Sequence, residues 1–211
     1  MAWRKCTTAA VLLLNAGAAA ANPYPTVDYE GPLQPRDTPR GAIEWAFIDM
    51  ARAWATCDRA LLGELVTDDV RFAFPTTRLE GRGALLDALD AYCGPEASAP
   101  PTEVSFYLPA DAFYIDLETG RAAVEIQFRE RRRGRHQVTN DVWIATFADD
   151  GRFAVMKEYL DGRVRDLQEL GVLTRDPGAD YLAPWPPRTE AWEDCFPIVR
   201  AAPINSCPSD E

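Results

Sequence analysis

After Pro101 the hydrophobic period of this chain changes from helical to alternating and stays alternating for sixty residues. No other feature restricts the fold as much. Residues 104–108, 112–117, 122–131, 137–147 and 153–160 are five predicted strands, separated by Glu118-Thr119-Gly120, Arg133-Gly134 and Asp150-Gly151. The preceding half is mostly helical in period. Asp37 or Thr38 can cap a helix with Pro39 in its first turn, and Ile43, Phe47, Met50 and Trp54 recur on one face. Cys57-Asp58 breaks that helix. A shorter helical piece runs through Leu61, Leu62 and Leu65, then Val70, Phe72 and Phe74 alternate as a strand that Pro75 stops. Gly81-Arg82-Gly83 opens a further helix with Leu85, Leu86 and Leu89, closed beyond Tyr92 by Gly94-Pro95. Helices first and hairpin strands afterwards predict an α+β fold in which a curved antiparallel sheet holds helices on one face.

Length and charge limit the rest. At 211 residues and 47% hydrophobic side chains the chain can bury one core with appendages, and it is neither disordered, a coiled coil nor a multi-span membrane protein. Its 33 acidic against 22 basic residues, a net charge of -11, oppose binding to nucleic acid or anionic lipid, which needs clustered Lys and Arg. The expected partner is a small molecule. Arg4 and Lys5, the apolar stretch beginning at 11–14 and the small residues Ala19-Ala20-Ala21 predict a signal peptide over 1–21, cut after Ala21. The apolar run is short and interrupted by Asn15 and Gly17, so no membrane anchor is expected once it is removed. The predicted destination is secretion or the lumen of the secretory pathway.

Four cysteines then remain, and an oxidising compartment favours two disulfides. Three pairings are open; Cys57–Cys93, at two helix ends, and Cys195–Cys207, within one tail, are the preferred set. There is no close Cys-x-x-Cys pair and His136 is the only histidine, so no metal site is expected. The proline-rich lead-in 22–36 reads as extended, and 176–211, with seven prolines and the aromatic residues Tyr181, Trp185, Trp192 and Phe196, reads as a tail packed on a domain spanning 37–175.

Chemistry concentrates in the last hairpin. The basic run around Arg133 and His136 reads as a solvated turn, no Gly-x-Ser-x-Gly elbow is present, and Gly81-Arg82-Gly83 lacks the context of a dinucleotide site, so no cofactor is predicted. If Asp150-Gly151 forms a two-residue turn, Trp143 pairs with Glu158 and Asp141 with Leu160; if Asp149-Asp150 forms it, Asp141 stands opposite Glu158. Either register makes Asp141 and Glu158 direct or diagonal neighbours, roughly 5 to 8 Å apart. Crowded carboxylates among apolar side chains are the usual route to a general acid or base. Val142, Ile144, Val155 and Tyr159 make the opposite face apolar too, so periodicity leaves open which face is buried.

The span from about Ala42 to Leu173 resembles a SnoaL-like domain of the nuclear-transport-factor-2-like superfamily. The resemblance rests on Asp68-Asp69-Val70-Arg71-Phe72, Leu79-Glu80-Gly81-Arg82-Gly83-Ala84-Leu85, Asn140-Asp141-Val142-Trp143, Asp150-Gly151-Arg152-Phe153 and Lys157-Glu158-Tyr159-Leu160-Asp161, in that order. Residues 158–171, with Leu167 and Leu170, also resemble the end of the phenazine-biosynthesis A/B proteins. It implies a cone-shaped fold enclosing an apolar pocket, often in a homodimer, and includes polyketide cyclases, ketosteroid isomerases and limonene-epoxide hydrolase, which work without cofactor. In that family the acid at the Glu158 position points into the cavity, and Asp141 follows it by pairing. Where limonene-epoxide hydrolase carries its Tyr, Asn, Arg and Asp, this chain offers Arg71, Ala73, Glu125 and Gln127, so that water-activating set is not reproduced. The expectation is a cofactor-independent cyclase, isomerase or epoxide-opening hydrolase for a polyketide or terpenoid. Glu158 and Asp141 would be catalytic, Trp143, Phe74, Trp45 and Phe47 would shape the pocket, and Gln127 and Arg71 would be polar anchors. A secreted binder of a small apolar ligand is the alternative.

Overall fold

The computed structural model describes residues 26–74, 77–94, 102–132, 135–160, 167–175 and 187–192. The segment 1–21 expected as a signal peptide, Cys195 and Cys207 lie outside the described residues. So do most of the tail and the side chain of His136.

Eleven elements follow in the order β1 (Val27–Tyr29), α1 (Pro39–Thr56), α2 (Arg59–Leu65), β2 (Val66–Ala73), β3 (Arg78–Glu80), α3 (Arg82–Cys93), β4 (Thr102–Leu108), β5 (Phe113–Asp116), β6 (Arg121–Arg132), β7 (Arg135–Phe147) and β8 (Phe153–Leu160). The strands form one open, curved sheet in the order β1-β4-β6-β7-β8-β2-β3, with β5 paired to β6. All five strands expected after Pro101 are present. The sheet is mixed and not wholly antiparallel: β1 runs parallel to β4, and β2 runs parallel to β8. The second pairing follows from topology, because β2 leaves the helical half and must dock beside a strand made some ninety residues later. Strands β1 and β3, three residues each, are too short to show a period in sequence.

Helix α1 starts where capping chemistry places it. The Thr38 hydroxyl accepts the Gly41 N–H at 3.0 Å, and Pro39 fills the first turn. Its apolar face meets β1, β4 and β5, and Phe47 is fully buried against Phe113, Phe147 and Phe153, with ring centroids 5.4 to 6.2 Å away. That aromatic cluster closes one end of the sheet. The helix ends at Cys57 in a left-handed conformation (φ 56°), and a disulfide joins Cys57 to Cys93 at the end of α3, 5.9 Å apart between Cα atoms. This is the pairing expected for the first two cysteines.

The described part of the lead-in is tied down by buried charge. Glu44 accepts the Gln34 N–H at 2.8 Å and pairs with Arg40, while Asp49 receives two bonds from Arg36. Arg36 also lies over the Trp45 ring, whose indole N–H donates to the Gln34 carbonyl at 3.0 Å. Gly41 sits so near this segment that a Cβ there would meet the Pro35 carbonyl oxygen at 1.9 Å. Two acids on a predominantly apolar helix therefore hold the chain that precedes it.

Beyond β8, Leu167, Val172, Leu173 and Trp192 are buried but stand apart from the main core. A bridge between Leu173 and Arg188 and a bond from the Thr189 N–H to the Val172 carbonyl bring 167–175 and 187–192 together.

Candidate active site

The hairpin that carries both acids is built differently from either turn expected. The Gly151 N–H donates to the Ala148 carbonyl at 2.9 Å and the Arg152 carbonyl accepts the Ala148 N–H at 2.8 Å, so the loop holds three residues, Asp149, Asp150 and Gly151. Gly151 takes φ +81°, a conformation that costs glycine nothing. The odd residue is compensated a few positions later. Thr146 pairs with Val155 and Phe147 with Phe153, which leaves Ala154 as a bulge. Two irregularities of one residue restore the register: Trp143 faces Glu158, Asp141 faces Leu160 and Ala145 faces Met156. Phe153 and Met156, three apart, are both fully buried as a consequence.

Register and burial together fix the inner face. Ala122, Val124 and Ile126 of β6 pair with Ala145, Trp143 and Asp141 of β7, and all six are buried. Phe72 of β2 pairs with Met156, placing the β2 aromatic residues on this face as well. Asp141 and Glu158 are therefore diagonal neighbours on the helix-covered side.

Asp141 is only 4% exposed, and its Oδ1 is buried with no hydrogen-bond partner among the described residues. Burial first, and the charge of Glu158 second, push its carboxyl up to about 9. At neutral pH it is a neutral acid. Glu158 lies nearer the edge and is half-buried. Its carboxyl is also raised by burial, but the Trp143 indole N–H, 3.2 Å from Oε1, works in the opposite direction. Trp143 is itself buried and held edge-on by Phe106, centroids 5.5 Å apart. A donor-only indole thus spends its one proton on Glu158.

Three further side chains frame the site. Trp54 of α1 meets Phe74, just past β2, and Tyr92 of α3, both edge-to-face at 5.7 and 5.8 Å. The Tyr92 hydroxyl donates to Glu130 of β6 at 3.1 Å. Glu130 is 5% exposed and shares the inner face with Phe128 and Ile126, two and four residues before it. Glu130 and Tyr92 are site residues that the sequence reading did not single out. The alternation of Val124, Ile126, Phe128 and Glu130 could have marked the former.

The other expected site residues divide. Trp143 and Phe74 stand with the acids. Phe47 belongs to the closed aromatic end of the core, and Trp45 binds the lead-in, so neither faces the pair. Gln127 and Arg71 are not brought to the acid pair. Gln127 pairs with Asn140, one residue out of phase with Asp141, and Arg71 pairs with Val155, one out of phase with Met156. Both therefore occupy the opposite face. Gln127 is buried there, bonded to Asn140 at 3.2 Å and to Arg129 at 2.7 Å, and Arg71 is exposed. Among the described residues no three His, Cys, Asp or Glu side chains gather to hold a metal ion. None of the helices described is long and apolar enough to cross a membrane.

An open curved sheet with helices over one face is an α+β fold shared with several solved structures. The fold is that of SnoaL-like and isomerase-like proteins. A protein described as a SnoaL-like polyketide cyclase from Shewanella denitrificans superposes with a TM-score of 0.52 at 13% identity, over 63% of this chain and 99% of that one. PrhC from Penicillium brasilianum gives 0.52 at 11% identity, over 64% and 93%. A protein described as an isomerase from Bacillus subtilis gives 0.51 at 18% identity, over 64% and 96%. No protein-family model matches the chain, and no curated protein matches it in sequence.

Proposed function

We propose that this protein is an exported, cofactor-independent acid/base enzyme that isomerises, cyclises or hydrolytically opens a small, largely apolar molecule of the polyketide or terpenoid kind. The observation that carries the reading is the unequal acid pair: a buried Asp141 whose carboxyl is pushed up to about 9 beside a half-buried Glu158. Burying a carboxyl without a partner is costly, and a chain that does so gains a proton donor at neutral pH. Glu158 takes a proton from a carbon or hydroxyl of the substrate. Asp141 donates to the oxygen on which negative charge develops, and the proton returns in the second half of the cycle. Between enzyme and substrate only protons pass, so a double-bond shift, or a ring closure whose new bond forms as a carbonyl π bond opens, balances with no other reactant, and an epoxide opening adds one water as a ring C–O bond breaks. Phe72, Phe74, Trp54 and Tyr92 supply the apolar wall for the carbon skeleton.

Expression in the native host of wild type beside Glu158→Gln, followed by native mass spectrometry and extraction of bound small molecules, tests this. General acid/base groups contribute about 10²- to 10⁴-fold in rate. The variant should therefore retain a substrate that the wild type releases as a different compound. The same unaltered ligand in both would replace the enzyme by a binding protein.

A further inference from the structure

We propose that Trp143 is a positioning residue that widens the difference between the two acids: its indole N–H favours Glu158 as the anion and so helps to leave the proton on the more deeply buried Asp141. The inference takes its functional meaning from the acid/base reading above, but it concerns the order of ionisation and stands or falls without any turnover.

The intrinsic chemistry points the other way. An aspartic acid is the stronger acid of the two, with reference values of 3.8 for Asp and 4.5 for Glu, so in water the proton would leave Asp141 first. Both cannot ionise cheaply, since they are diagonal neighbours among apolar side chains. The structure opposes the intrinsic order in two ways: Asp141 is the more deeply buried, and among the described residues the charge-stabilising contact of the pair is on Glu158. Trp143 faces Glu158 directly across β7 and β8, and its Nε1 lies 3.2 Å from Oε1. An indole can only donate, and a donor bound to an ionised oxygen is stronger than one bound to a neutral oxygen. Asp141 Oδ1 has no such donor among the described residues.

The indole is not free to serve either acid. Full burial and the edge-on contact with Phe106 restrict its rotamer. Among the described residues no other charge competes for Glu158 from the neighbouring elements. On its face β7 offers Asp141, β2 offers Phe72 with Phe74 just past its end, and β6 offers Glu130, which is bound to Tyr92 of α3. Lys157 and Arg71 lie on the other face. Depth separates the two acids in the same sense, because Asp141 is the more buried. Trp143 adds a directional contact to that difference. The order matters for chemistry: a base near the edge and an acid at depth, with the reverse order leaving the deep group charged and the base protonated.

Carboxyl carbon shifts of Glu158 and Asp141, followed by NMR from acid to alkaline pH together with the Trp143 indole N–H, test the assignment without a substrate. In the wild type the indole resonance should move at the Glu158 midpoint, and Glu158 should ionise first. In Trp143→Phe, which keeps a ring against Phe106, the Glu158 midpoint should move to higher pH and the interval to Asp141 should narrow. An indole resonance that follows Asp141 or ignores both midpoints overturns the proposal, as does a Glu158 midpoint unmoved in a folded Trp143→Phe. The wild-type titration decides the matter if that variant does not fold. Correct ordering with a catalytically silent Glu158→Gln would remove the enzyme reading and leave this inference standing.

Discussion

Asp141 and Glu158 share a face of this hairpin because two one-residue irregularities cancel, the third residue of the loop and the bulge at Ala154. The acid pair is thus a product of backbone register as much as of side-chain choice. Its properties can be read through stability as well as through turnover.

The stability of the protein should fall as pH rises from about 4 towards 9. Asp141 has an unfolded value of 3.8 and a folded value of about 9, so between them the native state keeps a proton that the unfolded chain has lost. The contribution is complete below the unfolded value and disappears as pH passes through the folded one, at up to about 1.4 kcal/mol per pH unit. Asp141→Asn removes the cause. Urea midpoints measured at pH 5 and pH 8 should diverge in the wild type and converge in the variant; parallel losses in both would mean that Asp141 is not buried as an acid.

Reduction or a Cys57→Ser, Cys93→Ser double substitution should destabilise the fold by about 3 to 4 kcal/mol, the closure term for a loop of this length. The two cysteines are 36 residues apart and clasp the helix ends that carry Trp54 and Tyr92. Thermal melts with and without reductant check it, and an unchanged midpoint would show that the clasp adds nothing.

Gly41→Ala should cost about 1 to 3 kcal/mol although alanine is the better helix former, because the new methyl meets the backbone of Pro35. The damage should centre on the lead-in. Hydrogen exchange is expected to rise first at 26–36, and a stabilised variant would contradict the close approach.

The two faces of the sheet should separate cleanly under mutation. Arg71→Ala, exposed on the outer face, should change stability by less than about 0.5 kcal/mol and leave bound ligand unchanged. Gln127→Ala should destabilise by about 1 to 3 kcal/mol, by removing its buried bonds to Asn140 and Arg129, with the Glu158 titration unmoved. A loss of ligand in a folded Arg71→Ala would return that residue to the site.

The architecture was largely legible because it is written in period. Alternation from Val104 to Leu160 marks the strands, Thr38-Pro39 marks the start of α1, and Asp141 and Glu158 emerge as neighbours from either turn considered. What escaped has a local physical cause. A bulge at Ala154 has no residue signature, so the register came out right from a turn that is not the one formed. Gln127 and Arg71 were taken from a family correspondence and lie one residue out of phase with the inner face. Trp45 and Phe47 sit on an apolar helix, and helical period alone does not say whether such a ring meets a cavity, a core or a preceding segment. Tyr92 and Glu130 meet across 38 positions, a distance over which sequence pattern carries no information.

The bulge at Ala154 also bears on how such a protein could change its trade. Side chains alternate with a period of two, so removing one residue between the turn and Val155 would rotate the rest of β8 by half a turn. Glu158 would then face solvent, and Lys157 and Tyr159 would look towards Asp141. A lysine next to a buried carboxyl makes an ion pair, which ends the proton economy of the site while leaving the sheet intact. Loss of a single codon would thus exchange the acid pair for an ion pair on an otherwise unchanged sheet, and gain of one would restore it.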